Sequence, residues 1–309
     1  MRTAVDIALL TRRSKPVPAL DLDFIRRTYA IAGNYVGLTT AGSFTRNSKA
    51  WDRDLVEYPA NEPRVTASGL LMEGARTNAL HDSFNPATQT RTLAPGSYTL
   101  SVIGTGNCAL SGGPSGTASD GAPVTFSLGS STAVTFTVSG SLQAFQCEDG
   151  AWSSSPIKTP IDDGATRQAD LLEIQTSGWM RAEQGRFVVS ATAGRDEDAL
   201  LLVEKSPSGT LIGLNFNDGF GFRVFTPISG AGGAGNWNEP DGATVGLSYD
   251  ADGISFAVDG AVEYTTSGDA RMFDHEVARP GFQGIWGHLT RVRYDPVRGS
   301  DAQLAALTA

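Results

Sequence analysis

Apolar and polar residues alternate at period two through much of this chain, in short runs that end on Gly, Asp, Ser or Pro. Such alternation sends successive side chains to opposite faces of a strand. Leu20-Asp21-Leu22-Asp23-Phe24 is the first run. Further strands are predicted at 93–103, 123–128, 132–138 and 141–147, then at 186–192, 199–204, 211–216, 221–225, 244–249, 253–258 and 261–264. Gly129-Ser130-Ser131 joins two of them as a hairpin, and Asp250-Ala251-Asp252-Gly253 and Asp259-Gly260 form tight turns between others. A helical period appears only over 300–308, where Ser300 is the expected N-cap and Leu304 and Leu307 lie one turn apart. The pattern predicts an all-β protein in three parts: an extended N-terminal arm and connector (1–84), a small jelly-roll-like β-sandwich (85–170), and a two-sheet β-sandwich (171–309) ending in a short C-terminal helix.

Composition agrees with this reading. Gly supplies 36 of 309 residues and charged residues 18%, against usual shares of about 7% and about 25%, as turn-rich β proteins require. The net charge of −9 argues against nucleic acid or an anionic membrane as the main partner. No apolar run approaches the ~18 residues of a membrane span. At the start, Asp6 interrupts the apolar run and Arg12-Arg13 follow it, the wrong order for a secretory signal, so a cytoplasmically made chain is expected. Cys108 and Cys147 read as small buried hydrophobes, since a disulfide would need their strands to be adjacent.

Little in the chain points to catalysis. Gly230 to Gly235 fits the glycine spacing of a dinucleotide loop, but Asn236-Trp237-Asn238-Glu239-Pro240 cannot start the required helix, and a loop is expected. The acidic clusters Asp196-Glu197-Asp198 and Asp274-His275-Glu276 read as solvated turns. Asp250 and Asp252 lack the six or more oxygens of a calcium loop and read as turn residues. His81, His275 and His288 are scattered, so no metal and no cofactor is expected. Among the five tryptophans, Trp237 lies in a Gly-rich loop between Asn236 and Asn238, with Asp241 nearby. An exposed ring flanked by amides and a carboxylate is the chemistry that stacks on sugars. Packing is the expected role of Trp51, Trp152, Trp179 and Trp286.

Residues 60–80 carry a distinctive stretch. Asn61-Glu62-Pro63-Arg64 leads into Gly69-Leu70-Leu71-Met72, then Glu73, Gly74, Arg76 and Asn78. It reads as a buried connector in which Glu73 and Arg76 can pair or hydrogen-bond backbone, with the amide Asn78 as the third connector residue. The stretch resembles the Pro-Arg … Gly-Leu-Leu-x-Glu-Gly-x-Arg-Thr-Asn signature of phage virion proteins, the tail- or head-fibre components of phages and related gene-transfer particles. Other segments are similar to that family: Phe44-Thr45-Arg46-Asn47-Ser48, Gln146-Cys147-Glu148-Asp149-Gly150, Ser155-Pro156-Ile157-Lys158-Thr159 and Thr166-Arg167-Gln168-Ala169-Asp170. The hairpin around Val258-Asp259-Gly260 and the closing Ser300-Asp301 … Leu304 … Leu307-Thr308 resemble concanavalin A-like, laminin-G-like sandwiches. The resemblance implies a non-enzymatic virion structural protein, a fibre or spike component. It would be a homo-oligomer, held to other virion proteins by the N-terminal arm and binding host-surface glycan. The competing expectation is a depolymerase acting on surface polysaccharide, against which the missing Glu-x-Asp-x-Glu strand motif counts.

Overall fold

The computed structural model describes residues 17–192, 199–205, 210–217, 221–225, 232–235, 242–282 and 285–309. The chain is all-β, with two sandwiches and a short C-terminal helix. No helix among the described residues is long and apolar enough to cross a membrane.

The larger sandwich has two antiparallel sheets. One runs in the order Ala261–Ser267, Gly253–Val258, Ala243–Tyr249, Gly185–Thr192, Gly287–Asp295, Leu20–Asp23, Thr28–Ile31 and Asn34–Val36. The other includes Thr210–Asn217, Ala199–Lys205, His275–Phe282, Leu171–Gln175 and Ser43–Thr45. Alternation explains the packing. Val245, Leu247 and Tyr249 face a core shared with Phe187, Val189, Leu172 and Ile174. On the opposite face of the first sheet, Gly246 lies under the helix Asp301–Thr308, where an added Cβ would stand 2.8 Å from Leu304. Ser300 and Gln303 close a reciprocal capping box. Leu304 and Thr308 are the buried helix residues, one position off the predicted Leu304–Leu307 spacing.

The expected division of the chain is corrected by the strand pairing. Described residues from Leu20 onward are not a separate arm. Leu20, Leu22 and Phe24 are fully buried in the larger core, and Leu20–Asp23 pairs with Gly287–Asp295. Gly69–Met72 adds to that same C-terminal strand, and Ser43–Thr45 pairs with Leu171–Gln175. Burying three such side chains stabilises the fold by about 1.5–3 kcal/mol each, which an arm in water forgoes. The smaller sandwich, 76–167, is therefore an insertion into the larger one. Residues 1–16, where the arm begins, lie outside the described residues. Gly230 to Gly235, expected as a loop, contributes the edge strand Gly232–Gly235.

The smaller sandwich is one seven-stranded sheet folded on itself. Its two long strands, Gly96–Ser111 and Thr132–Asp149, pair from Tyr98 opposite Asp149 to Ser111 opposite Thr135, with a register shift between Ile103 and Gly104. Gly140, at φ +78°, pairs with Gly106; a Cβ there would lie 2.7 Å from the Gly106 Cα. Both halves of the folded sheet feed one core, with Leu93, Leu110 and Phe136 from one and Leu100, Leu128 and Phe145 from the other. Cys108 and Cys147 are free and buried, opposite Val138 and Leu100, as small hydrophobes should be.

Candidate functional site

The chain crosses between the sandwiches twice, after Gly69–Met72 and before Leu171–Gln175. Glu73 stands at the first crossing and Asp170 at the second, and the two backbones are bonded to each other. Asp170 N–H donates to the Glu73 carbonyl at 2.9 Å, and Glu73 N–H donates to Asp170 Oδ2 at 2.9 Å. Arg46 donates to Asp170 Oδ1 at 3.0 Å and Arg64 to Oδ2 at 2.7 Å, all with fully buried side chains. Arg46 spends its other donors on the carbonyls of Ser48, Pro59 and Glu62. Arg64 also reaches Glu73 at 2.8 Å and the Ser155 hydroxyl at 2.7 Å. Buried charges persist only when paired and bonded in this way.

Glu73 also has partners from the smaller sandwich. Ser155 donates its N–H and its hydroxyl to Glu73. Burial by itself would raise the Glu73 carboxyl, but Arg167, Arg64 and the two Ser155 bonds outweigh it and hold the pKa at about 2. Glu148 is the converse. Burial dominates over its bonds from Ser154 and pushes it up to about 7. Asn78 uses its whole amide: it donates to the Phe145 and Ile157 carbonyls and accepts from the N–H groups of Leu80 and Cys147. Gln146 accepts from Ile157 N–H, while Ser83 and Thr159 exchange hydrogen bonds.

The expected Glu73–Arg76 pair is not formed. Glu73 takes Arg64 and Arg167, and Arg76 points to the other side of the neck. There its guanidinium donates to the Asp149 carbonyl and lies over Trp152 and Trp286, at 5.1 and 4.5 Å from the ring centroids. The strand Arg76–Asn78 buries Arg76 and Asn78 on one face, so Arg76 follows Asn78 into the smaller sandwich and away from Glu73. Asn78, the third residue of the connector, is fully buried with its amide fully bonded. Trp237, Asn236, Asn238 and Asp241 lie outside the described residues, as do Asp196, Glu197 and Asp198. The other four tryptophans pack: Trp179 against Phe187 and Tyr294, Trp51 against Phe84, and Trp152 against Trp286. Asp250 closes its turn onto the N–H groups of Asp252 and Gly253 and pairs with Arg298. No group of three or more metal-ligating side chains occurs among the described residues.

Sequence reading missed the roles of Arg46, Arg64, Arg167 and Asp170. Each belongs to a quoted motif, and the signal that could have found them was the recurrence of Arg and Asp within such short segments. Motifs spread over 120 positions meet at one neck. Chemically the neck is a clasp. Glu73 and Asp170 have their oxygens occupied by protein donors, which leaves them to hold the crossings together. Beside it opens a cleft of about 650 Å³. Thr66 to Ser68, Leu71 and His288 of the larger sandwich line one side, and Ser101, Ile103 and Ala144 of the smaller line the other.

No family model matches the chain, and no curated protein matches it. Solved structures similar to it include the Ruminococcus gnavus IT-sialidase CBM40 bound to alpha2,3 sialyllactose, at 16% identity and a TM-score of 0.35, covering 42% of this chain and 84% of that one. Trypanosoma rangeli sialidase is similar at 18% identity and a TM-score of 0.35, over 41% of this chain and 22% of that one. Trypanosoma rangeli sialidase in complex with sialic acid is similar at 17% identity and a TM-score of 0.36, over 46% and 28%. Likeness at this level carries no inference about ligand or reaction.

Proposed function

We propose that this chain is a structural, adhesive subunit of a phage or phage-like particle, a fibre or spike component that engages a surface glycan without cleaving it. The observation that supports this reading is the clasp. The motifs that resemble the virion family carry Arg46, Arg64, Glu73, Asn78, Arg167 and Asp170, and these residues stand together at the neck between the sandwiches. Their job there is to fix the angle between two modules, which is what a projecting subunit under load requires. Charged groups buried and bonded on both crossings resist hinge motion better than a lone linker would. The segment ahead of Ala19 serves as the attachment to other virion proteins, and side-by-side copies form a homo-oligomer.

The test is incorporation. Particles purified from the native host should contain the chain, and removal of residues 2–16 should leave a folded protein that no longer enters particles. Recovery of the chain only in the particle-free supernatant would sink the reading. Incubation with purified capsular polysaccharide should release no new reducing ends; their appearance would favour the depolymerase.

A further inference from the structure

The clasp assigns no role to the cleft beside it. We propose that this cleft is the saccharide-binding site of the chain. The proposal rests on the adhesive reading above and deepens it by placing the ligand. Its volume, about 650 Å³, falls inside the range of roughly 300–1,000 Å³ usual for small-molecule sites. Its two walls belong to different sandwiches, joined at the neck by the bonds of Ser155 to Glu73 and Arg64 and by the Arg167–Glu73 ion pair, so the cleft is formed before any ligand arrives.

The lining suits a polyhydroxylated ring. Such a ring has apolar C–H faces and a rim of hydroxyls, so it needs aromatic or aliphatic surface next to donors and acceptors. Phe84 and Tyr58 are half-buried in the lining; Phe84 is held edge-on by Trp51 at 5.5 Å and carries the Lys158 ammonium over its ring at 5.6 Å, which leaves one face for a ligand. Ile103 and Leu71 add aliphatic surface, and Ser101 and Ser153 add hydroxyls. The His288 ring makes no hydrogen bond among the described residues; burial lowers its pKa, so at neutral pH the ring can both donate and accept. Arg27 is anchored at the rim on the Val65 carbonyl at 3.0 Å. The lining also carries Asp52 and Asp54 beside Arg53, whose charges and donors suit hydroxyls. The serines, the imidazole and the rim charges offer nothing to a lipid chain.

The experiment is a binding screen of the full chain on an array of bacterial surface polysaccharides and their oligosaccharide fragments, followed by calorimetric titration of the best binder. Ala67→Trp, on an exposed turn lining the cleft, and Ser101→Trp, on its opposite wall, should each weaken binding by roughly tenfold or more at an unchanged melting temperature. If Ser101→Trp fails to fold, Ala67→Trp decides alone. Parent-like binding by the folded variants overturns the cleft while leaving the adhesive reading intact. So does loss of binding in Trp237→Ala with both cleft variants unaffected. Failure of the parent to bind any saccharide on the array removes the adhesive reading, and the cleft with it.

Discussion

Arg64 donates to Asp170 across 2.7 Å although 106 positions separate them, and neither side chain has any exposed surface. Removing the negative charge leaves Arg46 and Arg64 facing a neutral amide in a place that water does not reach. Asp170→Asn is expected to cost about 3–5 kcal/mol, read as a shifted midpoint in urea unfolding. A loss of under about 1 kcal/mol would mean that the pair is open to solvent.

Arg76 is expected to matter less than Arg64. Arg76→Ala removes cation–π contacts with Trp152 and Trp286 and strands no buried carboxylate, since its partner Asp149 is exposed, at a cost of about 2 kcal/mol. Arg64→Ala strands both Glu73 and Asp170 and should cost more. Tryptophan emission should change in the Arg76 variant alone. Equal losses from the two substitutions would put Arg76 back beside Glu73.

The two glutamates at the neck give stability opposite dependences on pH. Glu148, raised from its ordinary 4.5 to about 7, binds its proton more tightly in the folded state. Its contribution is complete below pH 4.5 and lost as pH rises through 7. Glu73, lowered to about 2, contributes above 4.5 and loses that contribution as pH falls through 2. Melting temperature should thus be higher near pH 5 than at pH 8. Glu148→Gln, which imitates the protonated group, should flatten the decline toward pH 8 and leave the acid limb in place. An unchanged alkaline limb in the variant would remove Glu148 as its source.

Both cysteines should be inert in the folded protein. Burial raises the Cys108 thiol to about 11 and the Cys147 thiol further, and neither has exposed surface. Alkylation by iodoacetamide at pH 8 should label neither until denaturant is added, and reductant should leave the melting temperature where it is. Rapid labelling of one thiol would show that the folded sheet opens locally.

Strands with one face in the core were legible from sequence. Gly185–Thr192, Ala243–Tyr249 and Gly253–Val258 lie where alternation puts them, and the Ser300 cap is where the helix begins. The long strand Thr132–Asp149 was not legible as one element. Ser139-Gly140 looks like a turn in isolation, and only its continued pairing with Asn107 and Gly106 of the partner strand shows that the strand runs on through it. Nor was the partner of Glu73. Arg76 is three positions away, but the hairpin register sets Arg64 opposite Leu71 and so folds it back beside the carboxylate. Ion-pair choice in a sheet depends on register, which no spacing along the chain encodes.

The inserted position of the smaller sandwich has a consequence for the order of folding. Leu20–Asp23 cannot pair with Gly287–Asp295 until that distant strand has left the ribosome, whereas every strand of the smaller sandwich is available once Arg167 has emerged. The inserted module is thus expected to fold first, while the early strands wait with an open edge. In doing so it brings Glu73 and Asp170, 97 positions apart, to hydrogen-bonding distance. The two halves of the larger sandwich then meet as though joined by a short loop, and most of the chain entropy that opposes their pairing has already been lost.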